Sequence, residues 1–365
     1  MNVLIAPDKF KGTLTAAQVC DAVAEGLQQS GREFAIRKMP LADGGDGTLD
    51  FFLHHLGGER IALRVHDPLF REVTAEYVWL PESKTAFVEM ARASGLSLLT
   101  ARERNPLLTS TVGTGELIRD AGNRGAKKIL IGIGGSATND GAAGVLHALG
   151  AQLLTAHGER VTPTGGELNR IARVEWPERA QWKRFVSVTA FCDVQNPFFG
   201  LEGAAYVYAP QKGATPDQLP VLDAGLRAWA ALTLAATGVD VQLVAGAGAG
   251  GGMAGGLHAW LGAELKPGID VILDLAQFDE AARWADVIIT GEGKLDEQTL
   301  RGKVVAGVIN RATNKTVLAV CGRSELSSPP IPVFSLEAFV GVDRALRESF
   351  AALRDLCATE VAAKI

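Results

Sequence analysis

The sequence predicts an α/β protein whose strand–helix alternation is interrupted by an antiparallel ribbon. Two continuous apolar runs near the chain ends, "NVLIAPD" (2–8) and "DVIIT" (286–290), read as parallel-sheet strands covered on both faces, and each leads into a helical pattern. Between them, from about Arg60 to Arg92, the texture changes to alternating apolar and polar residues. Turn signals at Asp67-Pro68 and Pro81-Glu82-Ser83 punctuate it, as in antiparallel hairpins.

In chain order, the first helix is predicted to begin near Thr15, where Thr15-Ala16-Ala17-Gln18 fits a capping box. Ala16, Cys20, Val23 and Leu27 form its buried stripe, and Gly31 follows its end. "FAIRKMPLADGGDGT" reads as a second strand and a glycine-rich loop, with a helix over about Leu49 to Leu56. After the ribbon come a helix near Thr114 to Arg124, stopped by Gly125, and the strand "KILIGI". "FVSVTAFC" is a further strand. "VAGAGAGGGMAGGL" (244–257) is too glycine-rich for a stable helix by propensity and reads as a hinge or a close backbone approach to a ligand. The strand "TVLAVCG" and a long terminal helix, its stripe at Leu346, Phe350, Leu353 and Cys357, complete the chain.

Bulk composition narrows the function. The 365 residues suffice for two domains, and 47% hydrophobic with 21% charged is ordinary globular material. A formal charge of −5 argues against general nucleic-acid binding. The four cysteines show no metal-ligand spacing and read as buried residues of a reducing compartment. No signal-peptide pattern opens the chain and no run reaches the roughly 18 apolar residues of a membrane span, so the expectation is a soluble cytoplasmic protein. The six histidines are dispersed, and no Ser-His-Asp arrangement is visible.

Four polar, glycine-rich segments follow predicted strands, where open parallel sheets bind ligands. "APDKFKGTLTA" (6–16) places Lys9 and Lys11 just ahead of a helix, a setting suited to phosphate or carboxylate; two solvated loop charges are the plainer alternative. "LADGGDGT" (41–48) interleaves Asp43 and Asp46 with glycines, suited to a ligand or a hydrated Mg²⁺, or to a simple turn. "ILIGIGGSATNDGAAG" (129–144) contains a formal G-x-G-x-x-A match, but no acidic residue answers it cleanly about 20 positions on, and no Gly-Lys-Ser/Thr closes a Walker A loop. What remains is a nest of amides with Ser136, Thr138, Asn139 and Asp140, suited to an anion, or plain turn chemistry. "TGEGKLDEQTLRGK" (290–303) packs Glu292, Lys294, Asp296, Arg301 and Lys303 among Gly291, Gly293 and Gly302. Asp193 follows a strand in "CDVQNP", and Lys212 sits in a Gln-Lys-Gly turn. Lys9, Lys11, Lys212, Lys294 and Lys303 are five of only thirteen lysines, a concentration that points to an anionic substrate.

Taken together, "APDKFKGTLTA", "PLADGGDGT", "GIGGSATNDGAAG", "CDVQNP", "GAAYVYAPQKGA" and "TGEGKLDEQTLRGK" resemble the bacterial glycerate kinase family of the first type. The resemblance extends from the N-terminus to about Lys303. It implies transfer of the γ-phosphoryl group of ATP, with Mg²⁺, to D-glycerate, the 2-hydroxyl being favoured over the 3-hydroxyl. It also implies an α/β fold with a Rossmann-like three-layer domain from both chain ends and a second α/β domain inserted between them. The corresponding expectation is one domain from 1–65 and 285–365, and another from 66–284. A nucleotide-dependent oxidoreductase and a carboxylate-binding sensor are the alternatives from other classes. A homo-oligomer is left open.

Phosphoryl transfer needs positioning and charge neutralisation more than covalent chemistry, and residue roles follow from that requirement. Lys294 and Lys303, with Gly291, Glu292, Gly293 and Asp296, are assigned to ATP; Asp46 and Asp296 are assigned to Mg²⁺. Asp193 is assigned to orient or deprotonate the acceptor hydroxyl, with Lys9 and Asp46 as further catalytic candidates. Lys11, Asp43, Ser136, Asn139, Asp140 and Lys212 are assigned to the substrate.

Overall fold

The computed structural model describes residues 1–365 apart from 46–47, 177–185, 298 and 300–302. The strands are β1 (Asn2–Ile5), β2 (Ala35–Lys38), β3 (Glu59–His66), β4 (Glu72–Leu80), β5 (Thr85–Glu89), β6 (Lys128–Gly132), β7 (Gln152–Leu154), β8 (Arg173–Glu175), β9 (Ser187–Phe191), β10 (Glu264–Lys266), β11 (Val287–Leu295), β12 (Thr316–Ser324) and β13 (Val333–Ser335). The chain divides into two compact units, one of Met1–Leu56 with Pro267–Ile365 and one of Gly57–Lys266.

The first unit holds a five-stranded, wholly parallel sheet in the order β13-β12-β11-β1-β2. Val3, Leu4 and Ile5 pair with Val287, Ile288 and Ile289, all buried, as the unbroken apolar runs require. The helix Ala16–Gln29 returns the chain to β2, and Thr15 and Gln18 form the capping box. It packs so closely on the C-terminal helices that a Cβ at Gly26 would meet Arg354 O at 2.3 Å. From β1 the chain moves toward one sheet edge, and from β11 toward the other. The carboxyl ends of β1 and β11 therefore flank a topological switch point, the position where open α/β sheets bind ligands.

The second unit holds a six-stranded mixed sheet in the order β10-β9-β6-β5-β4-β3 and a separate β7-β8 pair. The ribbon is β3, β4 and the antiparallel face of β5; beyond it β5, β6, β9 and β10 run parallel. One core lies around Tyr77, Met90, Leu117, Ile131 and Leu257, and another around Phe198, Leu222, Leu226 and Trp229. The helical stretch Pro216–Thr237 has the length and mean hydropathy (1.2) to cross a membrane, and its Leu222, Leu226 and Trp229 are core residues of this unit.

Several elements differ from the sequence expectations. The unit boundaries fall at 56/57 and 266/267 where 65/66 and 284/285 were expected. β3 is bonded along its whole length to β4, and the helix Gly268–Leu275 packs on Gly307 through Ile269 and Leu273. Residues 244–257, too glycine-rich for a helix by propensity, nevertheless run into one: the helix Met253–Leu261 contains Gly255 and Gly256. These glycines are matched to neighbours, since a Cβ at Gly256 would strike Gly141 O at 2.1 Å and one at Gly251 would strike Thr138 O at 2.0 Å. Tertiary packing overrides helix propensity there. The terminal helix is broken at Glu348 (φ −125, ψ 34) into Val342–Arg347 and Ser349–Leu356, so Leu346 leaves the buried stripe and is 63% exposed.

Candidate active site

In the first unit a cavity of about 640 Å³ opens at the switch point. Its charged lining comes from Asp8, Lys9 and Lys11 after β1, Asp43 after β2, Glu292, Lys294 and Lys303 on or after β11, Arg323 on β12 and Glu337 after β13. The β1 exit is held in place by Asp8 N donating to Gly291 O (2.8 Å) and by Thr290 Oγ1 donating to Ala6 O (2.9 Å). Asp43 Oδ1 accepts from Gly45 N at 2.9 Å, which turns the loop after β2.

The segment expected as a loop from Thr290 is strand as far as Leu295, because β12 is equally long and pairs with it through Leu295↔Ser324. Gly291 and Gly293 are strand glycines that permit close approach: a Cβ at Gly291 would meet Val320 O at 2.1 Å, and one at Gly293 would meet Lys11 N at 3.0 Å. Glu292 and Lys294, two apart, share the opposite face, and both line the cavity.

Electrostatically the cavity is crowded with carboxylates. Burial pushes the Asp8 carboxyl up to about 7; Lys9, its Nζ 3.8 Å from Oδ1, opposes this, while Asp43 and Glu292 add to it. Burial likewise raises Glu292, against the pull of Lys303 at 3.8 Å. Glu292 Oε1 is buried with no hydrogen-bond partner. On the rim, Lys294 lies between Asp296 (3.2 Å) and Glu325 (2.8 Å), and these two hold its ammonium above the usual lysine range. Asp296 also closes a turn with Thr299, its backbone N donating to Thr299 Oγ1 at 3.0 Å. Asp46, Arg301 and Gly302 lie outside the described residues. Among the described residues, no group of three or more His, Cys, Asp and Glu forms a ready-made metal cage.

Asp8 is the residue that the motif reading passed over. Its signal is position: it is the first carboxylate after an unbroken apolar strand next to the switch point.

The second unit contains the other predicted residues. Ser136, Asn139, Asp140 and Lys212 all come together in one buried polar cluster after β6. Lys212 Nζ donates to Ser136 Oγ (2.8 Å) and Thr138 O (2.7 Å), and burial pulls its ammonium down to about 7, against the influence of Asp140. Asp140 Oδ2 accepts from Thr111 N (2.7 Å), Thr111 Oγ1 (2.8 Å) and Gly144 N (3.2 Å), tying the starts of two helices, Val112–Asn123 and Ala143–Ala148. Burial raises the Asp140 carboxyl, and its Oδ1 and both polar side-chain atoms of Asn139 are buried without partners. Part of the amide nest is engaged internally: Ala137 N donates to Ser94 O and Gly141 N to Gly251 O. The helix starts only at Ala143, so Gly132–Ala137 does not make the tight strand–turn–helix of a dinucleotide fingerprint. Asp193 is exposed two residues beyond β9, at its carboxyl end.

Comparison with known proteins places these features in context. The profile described as "Glycerate kinase family" matches residues 3–358. Glycerate 2-kinase of Escherichia coli (strain K12) is 41% identical over 324 residues, covering 88% of this chain and 85% of that one. Glycerate kinase of Bacillus cereus (strain ATCC 10987 / NRS 248) is 42% identical over 312 residues, covering 86% and 82%. The crystal structure of a glycerate kinase 2 candidate from Salmonella typhimurium LT2 superposes with a TM-score of 0.91 at 39% identity, covering 100% of this chain and 98% of that one.

Proposed function

This chain belongs to the glycerate kinase family, and from that premise we propose that it transfers the γ-phosphoryl group of ATP to the 2-hydroxyl of D-glycerate, giving 2-phospho-D-glycerate and ADP. The observation that carries the reading is the family match along residues 3–358, joined to a switch-point cavity lined by both carboxylates and lysines. Glycerate 2-kinase of Escherichia coli, among the relatives, supports the 2-position.

In this reading the first unit binds the triphosphate. Lys303 and Lys294, with Lys9, neutralise phosphate charge, and the strand glycine Gly293 lines the same cavity. The cavity suits a divalent cation on its own evidence: Glu292 Oε1 is an unpartnered buried carboxylate oxygen, and Asp8 and Asp43 stand close enough to raise the cost of its charge or each other's. Mg²⁺ takes one or two carboxylates and otherwise water and phosphate, so Glu292 with Asp8 or Asp43 would hold it, and Asp296 pairs with Lys294 at 3.2 Å beside them. When bound, Mg²⁺ supplies charge neutralisation on the phosphates. Lys11 and Asp43 remain candidates for the substrate. Asp193 is the candidate to orient or deprotonate the hydroxyl. Ser136, Asn139, Asp140 and Lys212 shape the polar loop after β6, with Lys212 bracing it from behind. The four cysteines, buried and free, fit a reducing cytoplasm.

³¹P NMR of a reaction containing D-glycerate, ATP and Mg²⁺ tests this directly. The expected product is 2-phosphoglycerate, formed only when ATP is present. A 3-phosphoglycerate signal would overturn the regiochemistry, and no phosphorylated product from a folded sample would overturn the function.

A further inference from the structure

The cavity of the first unit is polarised. Opposite in character to its charged lining is a largely apolar wall of Leu336, Val342, Ala345 and Leu346, carried with one carboxylate, Glu337, by the short helices Leu336–Val340 and Val342–Arg347. Leu336 and Ala345 are packed into the core, at 1% and 8% exposure, and form a firm base for it. Val342 and Leu346 are 53% and 63% exposed. Helical periodicity alone puts Leu346 in the buried stripe of the terminal helix; the break at Glu348 turns it out to the cavity edge. The wall is held to the sheet by Ser335, whose Oγ donates to Gly322 O at 3.3 Å, and Gly322 and Arg323 of β12 line the same cavity.

One small-molecule cavity lined both by lysines with carboxylates and by a largely apolar pair of helices calls for a ligand of the same mixed character. ATP is such a ligand, with a triphosphate at one end and a flat, largely apolar purine at the other. We propose that the purine base of ATP lies against Val342 and Leu346, with its phosphates directed toward Lys303 and Glu292. The assignment rests on the kinase reading, and adds to it the residues that recognise the nucleoside.

Calorimetric titration with ADP and, separately, with inorganic tripolyphosphate tests it on the whole chain. The double substitution Val342→Asn with Leu346→Asn changes exposed positions, adds no charge and is expected to leave folding intact. It should weaken ADP binding tenfold or more and leave tripolyphosphate binding within twofold. Leu346→Met, which keeps an apolar surface, should bind ADP within threefold of the parent. ADP affinity unchanged in the double variant, or an equal loss of ADP and tripolyphosphate, would overturn the base site. Failure of the kinase reading shows itself differently: a parent that binds ADP, loses it in the double variant and yet phosphorylates no glycerate keeps the base site and discards the reaction.

Discussion

Replacing Lys212 with methionine tests whether a buried lysine organises the loop after β6. The change removes two hydrogen bonds from an ammonium that is 2% exposed, to Ser136 Oγ at 2.8 Å and to Thr138 O at 2.7 Å. Each such charged bond contributes about 1.5–3 kcal/mol, and the hydroxyl of Ser136 can turn to another partner while the carbonyl of Thr138 cannot. Relief of the ammonium's own desolvation offsets part of the loss, and Asp140 is left without its nearby cation. The expected net loss is roughly 3 kcal/mol at pH 7, in the range for removing one member of a buried polar pair. The pH dependence has a definite sign. Burial lowers the folded pKa of Lys212 from 10.5 to about 7, so between those values the unfolded chain binds the extra proton. Parent stability therefore gains as pH rises from 7 toward 10.5, by at most about 1.4 kcal/mol per pH unit, and loses that gain as pH falls through 7. The methionine variant has no such titration, so the gap between the two proteins should widen by at least about 1 kcal/mol between pH 7 and pH 9. Guanidinium unfolding followed by tryptophan fluorescence is a suitable assay, because Trp229 donates to Gly141 O beside the loop. A variant within 1 kcal/mol of the parent at pH 7, with a parallel pH profile, would refute the bracing role.

Lys303→Met and Lys294→Met should each lower kcat/KM by about 10²–10³, the scale of losing one electrostatic stabiliser, and steady-state rates within threefold of the parent would remove them from the phosphate site. Asp193→Asn keeps shape and hydrogen-bonding capacity but not charge; the expectation is a large fall in kcat with ADP affinity and melting temperature preserved, and normal turnover would move the hydroxyl-orienting role elsewhere. Gly141→Ala should cost roughly 3 kcal/mol, because φ is +56° and the new methyl would stand 2.6 Å from Trp229 Cδ1. Gly134→Ala, with nothing within 4 Å of the new atom, is the control, and equal melting temperatures for the two variants would contradict the packing argument.

What the sequence reveals here depends on whether the deciding interaction is local. The Thr15–Gln18 capping box is contained in four residues and is legible as it stands. So are β1, β6 and the start of β11, whose unbroken apolar runs need only a sheet covered on both faces. Thr290 to Leu295 reads as a loop because its two glycines imitate turn chemistry, and only pairing with β12 shows that they are strand residues. Gly255 and Gly256 mislead in the same way: the ring of Phe198 against the first, and the backbone of Gly141 against the second, make their missing side chains an asset. In the candidate site, Lys9, Lys11, Asp43, Glu292, Lys294 and Lys303 share one cavity as the motif clustering suggests. The inward orientation of Lys212 and the orphaned oxygen of Glu292 are properties of burial, which spacing does not encode.

The bond from Thr290 to Ala6 joins positions 284 residues apart, and this has a consequence for biogenesis. At about 5–20 residues per second, β1 leaves the ribosome roughly 15–60 s before β11, its neighbour in the sheet, has been translated. Residues 57–266 form a continuous stretch with its own sheet and cores, and can complete them during that interval. Val3, Leu4 and Ile5 meanwhile have only β2 beside them, leaving one edge of an apolar strand unpaired. β1 is thus an apolar strand exposed along one edge until β11 appears, and a circular permutant that begins near residue 267 and links residue 365 to residue 1 would shorten that interval by translating β11 ahead of β1.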